Sequence, residues 1–236
     1  MKTRISLSFL LTLFAFTTYA QCDNTFYPMG KDHYYEVEVF DKKDKLQATS
    51  QYTIAAVAET DNGYEATVNS KTLDKKGELI GGGDFTVICE DGQLKMDMQR
   101  LLTSLTQLQN TQGMNVEIEG DHIIIPASLS VGEVLPESTT TIKVGMEGMS
   151  MTMNTTTVTI RDRTVAAQED VTTPAGTFPC YKVTYVMNAS VETMGISREM
   201  VYTGTEWLSE GVGMVRNEQY DKKDKLSSYS VLTVFK

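Results

Sequence analysis

The sequence predicts a mainly β protein, a single domain built from long antiparallel hairpins, and two observations support this. A polar hexapeptide, Asp-Lys-Lys-Asp-Lys-Leu, occupies residues 41–46 and returns unchanged at residues 221–226, with the variant Asp-Lys-Lys-Gly-Glu-Leu between them at residues 74–79. Each copy separates two runs in which apolar and polar residues alternate. Alternation places the apolar side chains on one face of a strand, and short polar links between such runs are typical of hairpin loops.

The first half of the chain carries the clearest alternation. Tyr35, Val37 and Val39 alternate with acidic residues before the first turn, and the run after the turn continues the pattern. Such a pair of runs predicts a half-buried antiparallel hairpin. Three consecutive glycines at residues 81–83 predict a bulge or a sharp bend rather than a phosphate loop, because no Lys-Ser or Lys-Thr follows them.

The period changes after residue 96, where apolar residues recur at a spacing of three and four. They are Met98, Leu101, Leu102, Leu105 and Leu108. Asp97 precedes them as a candidate N-cap, and residues 110–113 are a candidate helix stop. The pattern predicts one substantial helix whose apolar stripe packs on the sheet, with a partner-binding role as the alternative.

The methionines are the most informative feature of the composition, with 13 in the chain. Met149, Met151 and Met153 stand at alternate positions, and Tyr185 and Met187 share one face of a later strand. Met side chains suit either an irregular core or a surface that adapts to varied apolar ligands. These five residues are therefore candidate ligand-binding residues, and core packing beneath the helix is the alternative.

The first 20 residues predict a signal peptide, which leaves residues 21–236 as the single mature domain. Lys2 and Arg4 precede a short apolar core, and Ala20 offers a small residue at the cleavage position. Lipid attachment at the nearby Cys22 is disfavoured because Gln21 precedes it. No later run is apolar enough for a membrane anchor, so we expect a periplasmic or secreted protein.

The charge balance argues against nucleic acid as a partner. Removal of Lys2 and Arg4 takes the net charge from −10 to about −12, and such a surface repels a polyanion.

Three cysteines, Cys22, Cys89 and Cys180, leave one thiol over if two form a disulfide in an exported protein. Sequence does not fix the pairing. We favour Cys22 with Cys89, because that bridge would fix the N-terminus to a strand. A catalytic Cys89 is the alternative, although its place in an apolar alternation is typical of an inert buried thiol.

The sequence offers no recognisable catalytic or metal-binding motif. His33 and His122 are the only histidines and lack the spacing of a zinc site. The Asp-Lys-Lys turns carry Lys where calcium loops need oxygen ligands, so they predict solvated loop tips. We therefore expect no metal, no cofactor and no enzymatic activity.

Residues 172–183, Thr-Thr-Pro-Ala-Gly-Thr-Phe-Pro-Cys-Tyr-Lys-Val, resemble a family of exported Gram-negative proteins known as TapB-like, which is related to a broader domain of unknown function. Gly-Val-Gly-Met-Val at residues 211–215 and Phe-Tyr-Pro-Met at residues 26–29 extend the resemblance over nearly the whole mature chain. It implies a curved open sheet or half-barrel with one helix against its concave side, similar to the lipoprotein carriers LolA and LolB.

Two functions follow as expectations. The first is a periplasmic binding or carrier module whose partner is an apolar small molecule or a lipid. The second is a cell-envelope structural or interaction module with a filled core and no ligand, whose partner is another envelope protein.

Overall fold

A computed structural model describes residues 26–96, 114–146, 148, 152–193 and 195–236. They form 13 strands: β1 (Tyr34–Asp41), β2 (Leu46–Thr60), β3 (Gly63–Asp74), β4 (Leu79–Glu90), β5 (Gln93–Met96), β6 (Met114–Gly120), β7 (Ile123–Pro126), β8 (Ser138–Met146), β9 (Thr152–Thr173), β10 (Gly176–Thr193), β11 (Ile196–Ser209), β12 (Gly213–Tyr220) and β13 (Leu226–Phe235). The predicted signal peptide and the predicted helix at residues 97–113 lie outside the described residues. No helix long and apolar enough to cross a membrane occurs in the described part of the chain.

All 13 strands belong to one open antiparallel sheet, in the order β6-β8-β9-β10-β11-β12-β13-β1-β2-β3-β4-β5-β7. The two ends of the strand sequence, β1 and β13, pair in the middle of the sheet. The first and last hairpins are therefore neighbours. The predicted mainly β fold is confirmed.

The repeated turns have one geometry. The carboxylate of Asp41 accepts backbone hydrogen bonds from Lys43 and Lys45 at 2.8 and 3.0 Å, and that of Asp221 accepts the equivalent pair at 2.8 and 3.1 Å. These bonds hold the pKa of each carboxyl below its usual value. Identical sequence thus produces identical hairpin tips, with residues 42–45 and 222–225 exposed.

The chain connection shows that the sheet is strongly rolled. β6 and β7 are its two edge strands, yet only Asp121 and His122 separate them in sequence. Three Cα steps span at most about 11 Å, whereas the edges of a flat 13-stranded sheet would lie about 58 Å apart at ordinary strand spacing. The two edges must therefore approach each other at this corner.

The connection from β7 to β8 lies at the seam of the roll, where β7 approaches β9 and Arg163 Nη1 donates to the carbonyl of Ile124. Before β8 begins, Leu135 N–H donates to the carbonyl of Arg163 at 2.8 Å, and Val165 N–H donates to the carbonyl of Glu133 at 2.9 Å. Val134 forms an isolated bridge with Thr164. The loop that follows β7 thus pairs with β9 and joins the two sides of the roll.

The main hydrophobic core lies on the inner face and draws on both halves of the sheet. Its buried residues include Ile54, Val68, Phe85, Val87, Leu94, Ile125, Val165, Val183 and Leu208. A smaller cluster of Cys180, Trp207 and Val215 lies outside it. Because paired residues across neighbouring strands share a face, each strand contributes alternate residues to the main core.

The cysteines differ in state. Cys89 is disulfide-bonded and buried, whereas Cys180 is a free buried thiol. Cys22, the predicted partner of Cys89, lies outside the described residues, so the pairing itself stays a prediction.

Five strands continue beyond the last pair between β11 and β12, Thr203 with Tyr220. This five-stranded extension consists of β6, β8 and residues 152–160, 186–193 and 196–202. The register places mainly apolar residues on one face of it: Val116, Ile118, Ile142, Val144, Val158, Ile160, Met187, Ala189, Val191, Met200 and Tyr202. Threonine pairs occupy the other face, where Thr139 and Thr159 share a hydrogen bond of 3.1 Å.

Candidate apolar ligand site

A cavity of about 230 Å³ lies inside the rolled sheet. Its wall is apolar and aromatic apart from one carboxylate, and it is built from Phe26, Tyr27, Tyr35, Val37, Tyr52, Phe85, Leu94, Met96, Ile123, Ile125, Glu206, Leu208, Val212, Gly213 and Met214. Pockets of this composition, with a few convergent polar groups, are the usual form of small-molecule sites.

Strand register explains why these side chains converge. Tyr35 pairs with Tyr52 across β1 and β2, and Met96 pairs with Ile123 across β5 and β7. Paired residues point to the same face, so a row of apolar positions crosses the sheet. Phe26 precedes β1 and closes the wall by packing edge-on against Tyr181, with ring centroids 5.7 Å apart.

A tyrosine cluster stiffens one side of the cavity. The hydroxyl groups of Tyr27 and Tyr35 are hydrogen-bonded at 2.7 Å, and the rings of Tyr35 and Tyr52 stack at 4.8 Å. Burial raises the pKa of all three phenols above the ordinary value. They therefore remain neutral at physiological pH and act as fixed walls rather than as acids or bases.

Glu206 supplies the carboxylate of the cavity wall. Its Oε1 accepts a hydrogen bond from Arg163 Nη2 at 3.3 Å. Arg163 Nη1 donates to the carbonyls of Ile124 at 2.9 Å and Pro136 at 3.1 Å. The arginine side chain is 2% exposed and the glutamate side chain 18%. Glu206 lines the cavity and Arg163 does not, so the carboxylate is the member of the pair that a ligand would meet.

Tyr185, a predicted site residue, is on the inner face but does not line this cavity. Its ring lies over Gly204, where an added Cβ would come within 2.1 Å of the Tyr185 Cζ atom. Its hydroxyl accepts a hydrogen bond from Asn217 Nδ2 at 3.0 Å. Tyr185 instead borders a separate depression of about 440 Å³ that includes Thr203.

The two predicted methionines that lie within the described residues, Met187 and Met153, are on different faces. Met187 pairs with Ile160 and with Tyr202, so it shares the apolar face of the five-stranded extension and continues the face of Tyr185. Alternation from Ile160 along β9 places Met153 on the opposite face. Met149 and Met151 lie outside the described residues. The structure thus brings Tyr185 and Met187 onto one face without Met153.

Several cavity residues escaped the sequence prediction. Tyr35 was recognised as an inward residue of the first hairpin, but its convergence with Tyr52 and Tyr27 depends on how the sheet rolls. Glu206 carried a usable signal. It stands between Gly204 and Leu208 on β11, so alternation places a charged side chain on the inner face.

The second large depression lies on the outer face beside Cys180. It measures about 470 Å³ and is bordered by Glu169, Asp170 and Glu210. Burial, followed by repulsion from Asp170 and Glu169, raises the pKa of the Cys180 thiol to about 11. This thiol is therefore poorly suited to nucleophilic chemistry. Within the described ranges, no group of three or more His, Cys, Asp or Glu side chains is arranged to hold a metal ion.

Two crystal structures resemble this chain over almost their whole length. A candidate exported protein with a YmcC-like fold from Bacteroides fragilis is 28% identical, with a TM-score of 0.71, and the match covers 90% of this chain and 99% of that one. A candidate lipoprotein from Parabacteroides distasonis is 27% identical, with a TM-score of 0.73 and the same coverage. No curated protein matches the chain.

The descriptions of these relatives as an exported protein and a lipoprotein confirm the predicted location. The protein is exported to the periplasm or secreted. The DUF3108-like family model matches residues 31–232. That span runs from the segment before β1 into β13 and includes most of the cavity wall. The chain therefore belongs to the DUF3108-like family, and its fold is like that of the exported protein with a YmcC-like fold from Bacteroides fragilis.

Proposed function

We propose that this chain is a non-enzymatic binding or carrier protein for a small apolar or lipid-like ligand, held inside the rolled sheet. The observation that carries the proposal is the cavity of about 230 Å³ with its apolar and aromatic wall. A soluble domain ordinarily fills its interior with side chains, and a void loses packing contacts. A ligand in this space would restore them.

The size of the cavity bears on the ligand. Ligand pockets commonly measure about 300–1,000 Å³, so this one suits a short chain or one end of a longer chain. Met96 and Met214 border it, and methionine adapts to ligands of different shape.

The finer resemblance belongs to the same proposal. We place the chain in the TapB-like branch, and we propose that its curved sheet holds an apolar ligand on the concave side in the manner of LolA and LolB. The apolar face of the five-stranded extension supports this, because Met187 and Tyr202 continue the inner face from Tyr185 into the extension. Half-buried apolar residues there could accommodate the rest of a longer chain.

Reporter binding tests the proposal. Purified protein, extracted to remove lipid, is titrated with N-phenylnaphthylamine, whose fluorescence rises in apolar surroundings. Replacing Ile123, a half-buried residue of the cavity wall, by Trp fills the space and should weaken binding about tenfold, a loss of about 1.4 kcal/mol. The control Val201→Trp adds the same side chain at a position that is 47% exposed on β11.

Unchanged binding by Ile123→Trp, or equal loss in both variants, would count against the cavity as the site. Native mass spectrometry of protein purified from its own periplasm supplies an independent check, since a carrier should retain an apolar molecule.

An envelope interaction module is the second candidate, and an unpaired edge favours it. β11 pairs with β12 only from Thr203 onwards, so residues 196–202 have no strand on that side in the described part of the chain. Ile196 is 67% exposed there. An exposed edge can accept an extended segment of another protein. Absence of reporter binding, together with loss of partner binding in Met200→Pro, would favour this function.

A further inference from the structure

We propose that the ligand carries a hydrogen-bond donor at its polar end, best a protonated amine, and that this end binds Glu206. This inference rests on the proposed function, because it assigns the chemical class of the ligand that the cavity takes. The inference predicts that the cavity prefers cationic and neutral amphiphiles to fatty acids, phosphates and other anions.

The first argument is the unused acceptor. Glu206 Oε1 bonds to Arg163, but no described residue donates to Oε2. Oε2 is not fully buried either. Among the described residues, the side-chain polar atom that is both fully buried and without a partner is Asn188 Oδ1, so Glu206 Oε2 remains accessible. An accessible carboxylate oxygen in an apolar wall is a strong acceptor that can receive a hydrogen bond from a ligand.

The second argument is the orientation of the neighbouring cation. Arg163 directs its donors to Glu206 and to the carbonyls of Ile124 and Pro136, and it does not border the cavity. An anionic end group would therefore meet the carboxylate without reaching the guanidinium. The net charge of the chain, −10, adds a general repulsion of anions.

The third argument is that the remaining polar groups of the wall are neutral phenols. Tyr27 and Tyr35 share one hydrogen bond, which uses one of their two O–H donors, and burial keeps both phenols neutral by raising their pKa values. Glu206 supplies the carboxylate of the wall and is therefore the group best placed to orient a ligand. A charge-assisted bond to it is stronger than a neutral one, so an amine should exceed an alcohol of the same chain.

The test is displacement of N-phenylnaphthylamine at pH 7 by three ligands with one chain length: octylamine, octanol and octanoate. We expect octylamine to displace the reporter at about tenfold lower concentration than octanol, with octanoate the weakest. Equal displacement by all three, or strongest displacement by octanoate, overturns the inference while the proposed function stands. Failure of the reporter itself to bind removes the proposed function, and the inference with it.

A pair of variants assigns the preference to one carboxylate. Glu206→Gln should reduce the advantage of octylamine over octanol to less than about twofold. The matched control is Glu218→Gln, because Glu218 is 16% exposed, pairs with Arg216 at 2.7 Å and lies outside the cavity wall. The control should retain the full advantage, and its loss in the control alone would overturn the assignment. If Glu206→Gln does not fold, the order of the three ligands on the wild type decides.

Discussion

Two adjacent residues of β11 contrast the two faces of the sheet. Glu206 points into the cavity, and Trp207 lies on the outer face. Both are largely buried and both contact charged neighbours. Their surroundings differ in how completely the polar groups are paired.

On the outer face the polar groups are paired closely. Trp207 Nε1 donates to Glu169 at 2.7 Å, and the cations of Lys182 and Arg216 lie 5.3 and 6.0 Å from the Trp207 ring centre. Arg216 also pairs with Glu218. Such a network of aromatic and charged groups stabilises the packing of neighbouring strands and leaves little for a ligand.

On the inner face the pairing is incomplete beside an unfilled volume. Glu206 uses one oxygen for Arg163 and keeps the other accessible next to the apolar wall. Burial alone therefore does not distinguish a structural polar residue from a binding one. The distinguishing feature is an unused acceptor or donor that borders a cavity.

The largest expected effect comes from removing the partner of Glu206. Arg163→Ala leaves Glu206 and two seam carbonyls without their donor, and breaking a buried ion pair in this way costs about 3–5 kcal/mol. Urea unfolding measures the loss. Arg161→Ala is the control, since Arg161 is 38% exposed and pairs with the neighbouring Asp162. Its effect should stay below about 1 kcal/mol.

Similar losses in the two arginine variants would contradict the seam as described. It would mean that β7 and β9 are held together without the guanidinium, and that Glu206 does not depend on it.

The next largest effect tests the contact between the Tyr185 ring and Gly204 on the inner face. Gly204→Ala places a methyl group against the Tyr185 ring and should destabilise the protein by about 1–3 kcal/mol through overpacking. Tyr185→Ala removes the ring, so the double variant should lose less than the sum of the single variants. Additive losses in thermal or urea unfolding would show that the ring does not rest on Gly204.

The local features of this fold were predictable from sequence. Alternation identified the hairpins, the repeated hexapeptide identified two equivalent turns, and Tyr185 and Met187 were placed on one face. Each of these depends on residues close in the chain, for which side-chain direction follows from strand geometry. The face of Met153 was harder to predict, because a register shift beside Val144 interrupts the regular pairing of β8 with β9 at this residue.

The roll of the sheet was not predictable from the residues alone. The contact of Arg163 with Ile124 joins residues 39 apart in sequence, and the cavity combines Tyr27 with Glu206. Alternation states which side chains share a face, but it does not state which parts of that face meet when the sheet curves. The closing of the two edges required the structure.

The smallest effect concerns the outer face and its dependence on pH. The hydrogen bond from Trp207 is the largest influence on the Glu169 carboxyl, and together with the charge of Lys182 it lowers the pKa of that carboxyl below its ordinary value of 4.5. The unfolded chain therefore binds the proton more readily, so this carboxylate stabilises the fold above pH 4.5. The contribution is lost as pH falls through the lower pKa of the folded state.

Trp207→Phe keeps an aromatic ring and removes the donor, so its destabilisation should be larger at pH 7 than at pH 3. Urea unfolding at the two pH values measures the difference. Glu169→Gln should abolish this pH dependence, and a constant difference between wild type and Trp207→Phe would show that the lost indole packing, rather than the hydrogen bond, is responsible.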